Sequence, residues 1–460
     1  MDNNINCVKK SMEVQIMLLN FKVKNVFSFK DFAEFSMIAG PVKRKIERVE
    51  ERKNCSVLKF SAIYGANASG KSNLVEALDV MRKLTISGKP KSARQYYYKL
   101  DDNCKNEASY FEVELNLKEK NYAYGFTFNF DKNVYESEWL YQLNLNSEKV
   151  IFNRDINNKV FDFNVILEGE LKEKFKVYVD DLKDDNENLF LTTLLSKIKL
   201  LKGSKLNYFL EILAWFIFKL DITTPNSIIT SSDYYIFNEK LSELSALLKA
   251  FGTGIDKIKT VNVSEREIEN LIDSKKLDEI KEDFAEYGQE DKLAFLRTNS
   301  NFWIIEMKKG KINYKKVIFY HDSNNVVDFS INEESEGTIR LLDLAEILLT
   351  KEKNKVFVID ELDRCLHPQV TVKFISLFLE RAKKYNNQLI VTTHESRLLD
   401  FEILRRDEIW FVNKDENGSK LYSLEQYNER FDKKIDKAYL DGRYGGVPIF
   451  DNIFPVDIDE

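Results

Sequence analysis

Residues 65–72 read GANASGKS and follow directly on the apolar run SVLKFSAIY, which ends at Tyr64. The eight residues fit the pattern GxxxxGK[ST], in which a glycine-rich turn joins a strand to a helix and lets backbone N–H groups surround phosphate oxygens. Apolar residues at helical spacing continue to about Leu84. A chance glycine-rich turn would lack this strand and helix, so the stretch predicts a phosphate-binding loop.

The residue types in this loop also predict what each would do. Lys71 is expected to reach the β- and γ-phosphates of a nucleotide, and Ser72 is expected to bind Mg²⁺. ATP and Mg²⁺ are therefore the predicted cofactors. The ATP-binding residues predicted from this stretch are Gly65, Ala66, Asn67, Ala68, Ser69, Gly70, Lys71, Ser72 and Asn73.

A second motif lies far along the chain, where the apolar run Val356–Ile359 is followed by Asp360 and Glu361. A buried parallel strand would place the Asp360 carboxylate at the sheet edge where ligands bind. We expect Asp360 to hold Mg²⁺, directly or through water, and Glu361 to act as general base toward the attacking water. Alone, the motif would be read as a solvated acidic turn; together with the phosphate loop it favours a catalytic site.

Two further segments give weaker signals on their own. The strand LIVTTH ends at His394, which is expected to contact the γ-phosphate, although a lone histidine is more often structural. Residues 334–340 place Ser335, Gly337 and Thr338 at a predicted helix start, where a hydroxyl and free N–H groups would attract an anion. An ordinary helix cap is the alternative for this segment.

Composition excludes several classes of protein. With 43% hydrophobic and 31% charged residues and only 6 prolines, the 460-residue chain is neither collagen-like nor globally disordered. A net charge of −6 argues against a wholly basic nucleic-acid coat but leaves room for a local basic surface. The four cysteines form no CxxC pair, no apolar run reaches membrane-spanning length and no signal peptide is apparent. A cytoplasmic protein without a membrane anchor is expected.

The pattern along the chain predicts an α/β fold. Alternation from Ser109 to about Phe163 predicts an antiparallel β meander. Residues 166–314 are rich in Leu, Lys, Glu and Asp at helical spacing and predict a mainly helical lobe, in which Phe209–Leu220 is expected to form a core helix. Alternating helices and strands from Ile339 onward predict a parallel sheet. The fold class is therefore a P-loop NTPase with a mixed sheet core and a meander.

One nucleotide site needs both the phosphate loop and the acidic strand end, so the core must be discontinuous in sequence. The inserted lobe would then separate the two parts of the core. The predicted divisions are an N-terminal tail of residues 1–16, a core of residues 17–165 and 315–460, and the inserted lobe of residues 166–314.

The ordered set GANASGKS, SEGT, VFVIDE and TTH resembles the ABC-type ATPases, in the branch with RecF, SMC and OLD-like proteins. Within that branch it is similar to bacterial ATPases of abortive-infection and restriction-linked systems. Further likenesses are MLLNFKVKNVFSFKD near the start, DELDRCLHP after the acidic strand, and DEIWFVNKD and YLDGRYGGVP toward the end. The resemblance covers almost all of the chain beyond Met17 and implies a P-loop core of ABC type.

The resemblance also implies partners and further site residues. In such ATPases the signature segment, here Ser335 to Thr338, completes the site of a second protomer, which implies a homo-oligomer with ATP sandwiched between protomers. Asp363 resembles the D-loop residue at that interface. SEGT stands where transporters typically carry SGGQ, which suits the SMC and RecF side. Gln95 and Gln142 both remain candidates for the Q-loop glutamine.

Three functions remain open at this point. In the first, ATP drives a switch subunit of an anti-phage complex, as in proteins resembling RloA, AbiLi or the PARIS ATPase, and a separate effector such as a TOPRIM-like nuclease is encoded nearby. In the second, the chain is a RecF- or SMC-like DNA-repair ATPase. In the third, it is a nucleotide sensor that barely hydrolyses ATP. The first is preferred.

DNA contact is a separate question. The basic stretch from Lys83 to Lys99 interleaves Lys89, Lys91 and Arg94 with tyrosines and would suit a phosphate backbone. The favoured alternative is a loop whose tyrosines pack on the sheet.

Overall fold

The structure, a computed structural model, describes most of the chain. The described residues are 15–89, 95–197, 201, 204–225, 238–269, 274–286, 292–298, 301–322, 324, 327–427 and 435–444. None of the helices in these ranges combines the length and apolar character needed to cross a bilayer.

The strands are β1 (Ile16–Lys24), β2 (Ala33–Ser36), β3 (Val49–Glu51), β4 (Ser56–Leu58), β5 (Phe60–Gly65), β6 (Ser109–Leu117), β7 (Lys120–Asn129), β8 (Val134–Leu143), β9 (Glu148–Asp155), β10 (Val160–Phe163), β11 (Leu220–Thr223), β12 (Lys257–Val263), β13 (Lys292–Arg297), β14 (Phe302–Lys308), β15 (Lys311–Tyr320), β16 (Val356–Ile359), β17 (Gln388–Thr392), β18 (Ile409–Asp415) and β19 (Gly418–Ser423). The α-helices are α1 (Lys71–Ser87), α2 (Gly169–Leu182), α3 (Phe190–Thr193), α4 (Asn207–Ala214), α5 (Asn238–Ala250), α6 (Glu265–Glu269), α7 (Ser274–Glu286), α8 (Glu336–Leu349), α9 (Pro368–Tyr385) and α10 (Ile435–Leu440).

Contacts between residues divide the chain into two compact units. The first comprises Met1–Pro225, Glu352–Leu362 and Leu379–Glu460, and the second comprises Asn226–Lys351 and Asp363–Phe378. The bounds predicted for the inserted lobe differ from those of the second unit, because α2, α3 and α4 group with the first. Aromatic packing accounts for this grouping.

That packing joins the helices to the meander. Phe190 of α3 and Phe209 of α4 lie with their ring centroids 5.1 and 6.1 Å from that of Phe152 on β9. Aromatic side chains bury large areas, so these helices gain more by covering the meander than by forming a lobe of their own. Helical spacing predicts that such segments are helices but does not identify the surface they cover.

The phosphate-loop strand lies inside a mixed sheet of the first unit with the order β11-β16-β17-β5-β18-β19. Pairing is parallel from β11 to β18, and only β19 runs antiparallel. Every residue of the strands β5, β16 and β17 is buried, as expected for strands covered on both faces. Because these strands are parallel, their carboxyl ends meet at one edge of the sheet.

The meander forms a second sheet in the same unit, with the order β10-β9-β8-β7-β6-β1-β2 and antiparallel pairing throughout. Ile63 of β5, Leu78 of α1 and Val113 of β6 belong to one buried cluster, so α1 and both sheets share a core. The predicted α/β class, with a mixed sheet and an antiparallel meander, is confirmed.

The segment predicted as one core helix is more complex. It forms α4 and then a π-helical turn at Trp215–Lys219, after which the chain continues as β11 at the edge of the mixed sheet. An uninterrupted apolar run has no periodicity to mark where a buried helix gives way to a buried strand. The backbone N–H of Asp360 donates to the Thr223 carbonyl at 2.8 Å, so β11 supports the acidic strand end.

The second unit contains an antiparallel sheet with the order β12-β15-β14-β13. Leu277 of α7 packs with Trp303 and Ile305 of β14 in its buried cluster. The runs NFWIIEMKKG and INYKKVIFYH predict a strand pair, which β14 and β15 form, whereas β12 and β13 lie in a region predicted to be mainly helical. Their short runs, KIKTVNV and KLAFLR, are flanked by charge-rich helices and carry lysines that obscure the alternation.

Glu408, in the turn before β18, is a fully buried acid. Its carboxylate accepts a hydrogen bond from the Arg405 N–H at 2.8 Å and lies 3.6 Å from the Arg48 guanidinium. Burial raises the pKa of Glu408 to about 7, and these partners offset only part of that shift. The backbone carbonyl of Glu408 accepts a hydrogen bond from Ser61 of β5, so the acid lies beside the phosphate-loop strand.

Replacing Glu408 with glutamine should flatten the dependence of stability on pH. Because the folded state holds this proton more tightly than the unfolded state does, the free energy of unfolding should fall as pH rises from about 4.5 to about 7, by about 3 kcal/mol. Amide hydrogen exchange along β5 and β18, corrected for the intrinsic exchange rate at each pH, measures this fall between pH 5 and pH 8. The Glu408→Gln variant should lose that part of the slope, whereas Glu416→Gln, at an exposed acid, should keep it. Equal slopes in the wild type and Glu408→Gln would contradict the assignment.

Candidate functional site

The phosphate loop connects β5, which ends at Gly65, to α1, which begins at Lys71. Gly70, just before the helix, has φ +116°, and an added Cβ there would lie 2.4 Å from the Ser419 hydroxyl. Glycine is required at this position by both conformation and space. The Lys71 side chain is 6% exposed, and its ammonium donates to the carbonyls of Gly65 at 2.8 Å and Ala66 at 3.0 Å.

The loop fits a phosphate group in two respects. No side chain among the described residues caps the N-terminus of α1, and the first turn carries no acid, so its backbone N–H groups and positive dipole end suit an anion. The buried Ser69 hydroxyl has no hydrogen-bond partner within the described part of the chain. A buried hydroxyl without a partner is costly, and a phosphate oxygen would supply one.

Two serines that are distant in sequence, Ser28 in a turn and Ser419 on β19, support the underside of the loop. The Ser419 hydroxyl donates to the Ser69 carbonyl at 2.5 Å, and its oxygen lies 2.7 Å from the Ser28 hydroxyl, which can donate to it. Ser28 also accepts from the Asn73 amide at 2.8 Å, which ties the first turn of α1 to the same pair. The loop conformation is therefore fixed by hydrogen bonds from three separate stretches of sequence.

The acidic strand end lies at the same sheet edge. Asp360 is 4% exposed, and its carboxylate accepts from the Thr392 hydroxyl at 2.6 Å. The same hydroxyl oxygen accepts from the backbone N–H of Glu361 at 2.8 Å. Glu361 has φ 51°, an uncommon conformation for this residue type, and strained backbone is often held in place at functional sites. Thr392 thus holds the Asp360 carboxylate and the backbone of Glu361 at once.

Mg²⁺ would be held by Asp360 and by Ser72, whose side chain is exposed at the start of α1. This donor set of one carboxylate and one hydroxyl fits Mg²⁺, which prefers oxygen ligands and usually keeps waters and substrate phosphates in its shell. Within the described ranges no group of three or more His, Cys, Asp or Glu side chains forms an all-protein metal cage.

His394 follows β17, the strand between β16 and β5, and its side chain is exposed. Parallel pairing places the residues after these three strands at one edge, so the phosphate loop, Asp360, Glu361 and His394 belong to one group in the first unit. The sequence predicted each of these residues separately, and the topology brings them together.

The signature residues and Asp363 belong to the second unit. Ser335 caps α8: its hydroxyl accepts from the Thr338 N–H at 3.1 Å. Gly337 lies close to the segment after Asp363, since an added Cβ would be 2.8 Å from the Cys365 carbonyl oxygen. The segment therefore has the geometry of a helix cap, and its role at a second protomer's nucleotide stays a prediction.

The two Q-loop candidates have different surroundings. Gln95 lines a cavity of about 620 Å³ together with Ser28 and Asn73, beside the phosphate loop. Gln142 lies on β8, where its amide donates to Asn144 at 3.3 Å. Of the two, Gln95 has the position that suits a residue of the nucleotide site.

The tyrosines of the basic stretch are largely committed to the core. Tyr96 packs on Phe27 and Phe130 at 5.0 and 5.4 Å between ring centroids, and Tyr98 is buried. Lys89 pairs with Glu187 at 2.7 Å, whereas Lys91 and Arg94 lie outside the described residues. This arrangement favours the packed loop over a DNA-binding surface.

Sequence reasoning did not assign roles to Thr392, Ser28 or Ser419. A hydroxyl residue at the end of a strand next to the acidic strand was an available signal for Thr392. No local pattern distinguishes Ser28 or Ser419 from other serines, because their role depends on contacts between segments that are far apart in sequence.

Among solved structures, the chain is similar to SMC heads, with low scores. An SMC head bound to the C-winged helix domain of ScpA is 15% identical, with a TM-score of 0.42, over 89% of this chain and 98% of that one. The SMC head domain from Thermotoga maritima is 12% identical, with a TM-score of 0.37, over 88% and 98%. A Pyrococcus furiosus head with an extended coiled coil, bound to the C-terminal domain of ScpA, is 14% identical, with a TM-score of 0.36, over 94% and 99%. Scores this low support no conclusion about function.

No curated protein matches the chain in sequence. A family model does match it, with the description "AAA domain, putative AbiEii toxin, Type IV TA system", over residues 60–400. The matched range includes the phosphate loop, the signature segment, the acidic strand end and His394. Because the match covers far more than half of the 460 residues, the chain belongs to this family of AAA-domain ATPases, and the ABC-type relationship predicted from its motifs is confirmed.

Proposed function

We propose that the protein is an ATP-hydrolysing switch subunit of a bacterial anti-phage defence complex that works with a separate effector. The observation that carries the enzymatic part is the Thr392 hydroxyl, which binds the Asp360 carboxylate and the Glu361 backbone at the sheet edge that also holds the phosphate loop. The defence role is supported by the family description, which names a toxin of a toxin–antitoxin system.

The residues suggest how hydrolysis would proceed. The loop N–H groups and Lys71 would bind the β- and γ-phosphates, and Ser72 and Asp360 would hold Mg²⁺, which neutralises phosphate charge when bound. Glu361 would accept a proton from a water that attacks the γ-phosphorus in line. The bond from that phosphorus to the β-bridging oxygen breaks, giving ADP and phosphate. Lys71 and His394 would stabilise charge on the transferred group.

The signature segment and Asp363 would act across a dimer interface. Two protomers facing each other with ATP between them would associate when ATP is bound and separate after hydrolysis. The bound nucleotide would therefore determine whether the protein is a dimer or a monomer. An effector that recognises one of the two states would be restrained or released accordingly. The protein is therefore proposed to act as a switch rather than as a nuclease itself.

Phosphate release by the purified chain tests the enzymatic proposal. Wild type should turn over ATP in Mg²⁺, Lys71→Ala should not, and Lys120→Ala, at an exposed lysine on β7, should match wild type. If wild type is no faster than Lys71→Ala, the chain is a nucleotide sensor at most. Stimulation by DNA ends, with a steep salt dependence, would instead favour a repair ATPase.

Phage plating tests the defence role. Cells that carry the gene with its native neighbours should resist infection, and the Lys71→Ala variant should lose that resistance without losing expression. Equal protection by both forms would reject an ATP-driven switch.

A further inference from the structure

The signature segment is preceded by a short lead-in, residues 329–334, that is fixed to the sheet of the second unit. Phe329 and Phe319 of β15 exchange backbone hydrogen bonds of 2.8 and 2.9 Å, so the lead-in begins as an extension of that sheet. It continues as a 3₁₀ turn, where the Glu333 carboxylate accepts from the N–H and the hydroxyl of Ser330 at 2.8 and 2.7 Å. The backbone in front of the signature segment is therefore held by local hydrogen bonds.

Glu334, the last residue of the lead-in, carries a buried carboxylate. Its side chain is 3% exposed, and its Oε1 lies 2.8 Å from Nε2 of His321, the first residue after β15. Because a carboxylate only accepts hydrogen bonds, the imidazole donates from Nε2. The ring of His321 lies edge-on to that of Phe329 with 4.8 Å between centroids. An added Cβ at Gly254 would be 3.2 Å from Nδ1 of the same ring, so the histidine is packed on two sides.

The helix that begins in the signature segment is tied to the same sheet. Asp343 of α8 is paired with Arg297 at the end of β13, and both side chains are 11% exposed. Helix α5 packs against both α8 and β12, and its Ser245 hydroxyl accepts from the Ile258 N–H at 2.9 Å. The signature segment therefore has a support on each side, Glu334 before it and Asp343 after it, and both supports rest on one sheet.

We propose that His321 is a positioning residue for the signature segment: its Nε2–H holds Glu334 and thereby fixes Ser335 to Thr338 for contact with the nucleotide of a second protomer. This inference rests on the proposed function, in which ATP lies between two protomers. A segment that is already ordered costs less to dock than one that must be ordered on binding. Losing the hydrogen bond should therefore weaken the ATP-bound dimer and leave ATP binding to the separate protomer unchanged.

His321→Phe tests the proposal, because it removes the Nε2–H and keeps an aromatic ring beside Phe329. In the Glu361→Gln background, with ATP and Mg²⁺, sedimentation equilibrium should show the dimer Kd rising about ten- to hundredfold, since each of the two signature segments loses one hydrogen bond. The Kd for ATP, measured at protein concentrations where the chain is monomeric, should stay at its value in the background. His321→Gln, whose amide nitrogen can replace Nε2 as donor, should restore most of the dimer affinity.

Tyr314→Phe is the matched control. The Tyr314 hydroxyl on β15 donates to the Glu265 carboxylate at 3.0 Å, so this variant also removes one hydrogen bond between that strand and an acid, but leaves the lead-in untouched. Its dimer Kd should equal that of the background. A purely structural role for His321 would lower the melting temperature of the nucleotide-free protein and leave the dimer Kd unchanged well below melting.

Three results would show that the inference is wrong while the proposed function stands. In the first, His321→Phe dimerises as tightly as the background. In the second, Tyr314→Phe weakens the dimer to the same extent as His321→Phe. In the third, His321→Gln restores none of the lost affinity. If the Glu361→Gln protein alone forms no dimer with ATP, the inference and the proposed switch fall together.

Discussion

Replacing Glu361 with glutamine should lower ATP turnover by about two to four orders of magnitude and leave ATP binding intact. A positioned general base contributes a factor of this size, and the amide cannot accept the proton of the attacking water. The loss corresponds to about 3–5 kcal/mol in the activation barrier. The protein should still fold, because glutamine has the size of glutamate and the backbone N–H of residue 361 keeps its acceptor on Thr392.

Single-turnover phosphate release and ATP titration together measure this effect. Glu361→Gln should bind ATP as wild type does and accumulate as an ATP-bound dimer, detected by light scattering. Glu119→Gln makes the same chemical change at an exposed turn between β6 and β7 and should hydrolyse ATP normally. Normal turnover in Glu361→Gln would show that another group takes the proton, and the assigned role would be wrong.

Replacing Arg154 with methionine should destabilise the meander by about 3–5 kcal/mol, the cost of leaving a buried charge without its partner. Arg154 on β9 and Glu138 on β8 face each other, both side chains are 0% exposed, and their nearest charged atoms are 3.4 Å apart. Arg154 also donates to the backbone carbonyls of Asn188, at 2.8 Å, and Asp185.

The other half of this pair anchors α3. The Glu138 carboxylate accepts from the backbone N–H groups of Phe190 at 2.6 Å and Leu191 at 3.1 Å and from the Tyr124 hydroxyl at 3.1 Å. Burial raises the pKa of Glu138, while Arg154 and the backbone donors act in the opposite direction. Removing the guanidinium therefore leaves a carboxylate with strong local bonds but no countercharge.

Amide hydrogen exchange along β8 and β9 measures the local opening free energy, which suits a chain of two units better than a single unfolding midpoint. Lys159→Met is the control: it breaks the ion pair between Lys159 and Asp184, which has a similar length of 3.2 Å but a lysine side chain that is 66% exposed. It should lower the opening free energy by less than about 1 kcal/mol. The double variant Glu138→Gln, Arg154→Met should open less readily than Arg154→Met, since it leaves no unpaired charge. Equal protection in Arg154→Met and wild type would contradict the prediction.

Local patterns predicted the elements that carry the chemistry. The strand Val356–Ile359 has the predicted bounds, the strand predicted to end at His394 ends two residues earlier at Thr392, and α1 follows the phosphate loop as expected. Buried parallel strands are continuous apolar runs with polar residues at their ends, so their limits are visible in one sequence. Predictions were weaker wherever the decisive partner is remote in sequence.

The Ser56–Tyr64 run shows that a boundary between two strands can be hidden inside one β-rich stretch. It appears as one strand in the sequence but forms β4 and β5, which belong to different sheets. The site shows that functional contacts can be remote in sequence: Thr392 binds Asp360, 32 positions away, and Ser419 binds Ser69, 350 positions away. Propensity and periodicity describe a chain's neighbours along the sequence, and hydrogen bonds of this range depend on topology that they do not specify.

The position of β5 determines when the chain can first bind a nucleotide during its own synthesis. Both strands that flank β5, namely β17 and β18, lie hundreds of residues later in the chain, and the serine beneath the loop follows them. A growing polypeptide must therefore carry an apolar central strand without its neighbours until its last fifth has emerged. Such long-range pairing is slow and leaves strand edges open to wrong partners. Nucleotide binding would thus begin only once β19 has been synthesised, and until then Phe60–Gly65 is the central strand without its neighbours.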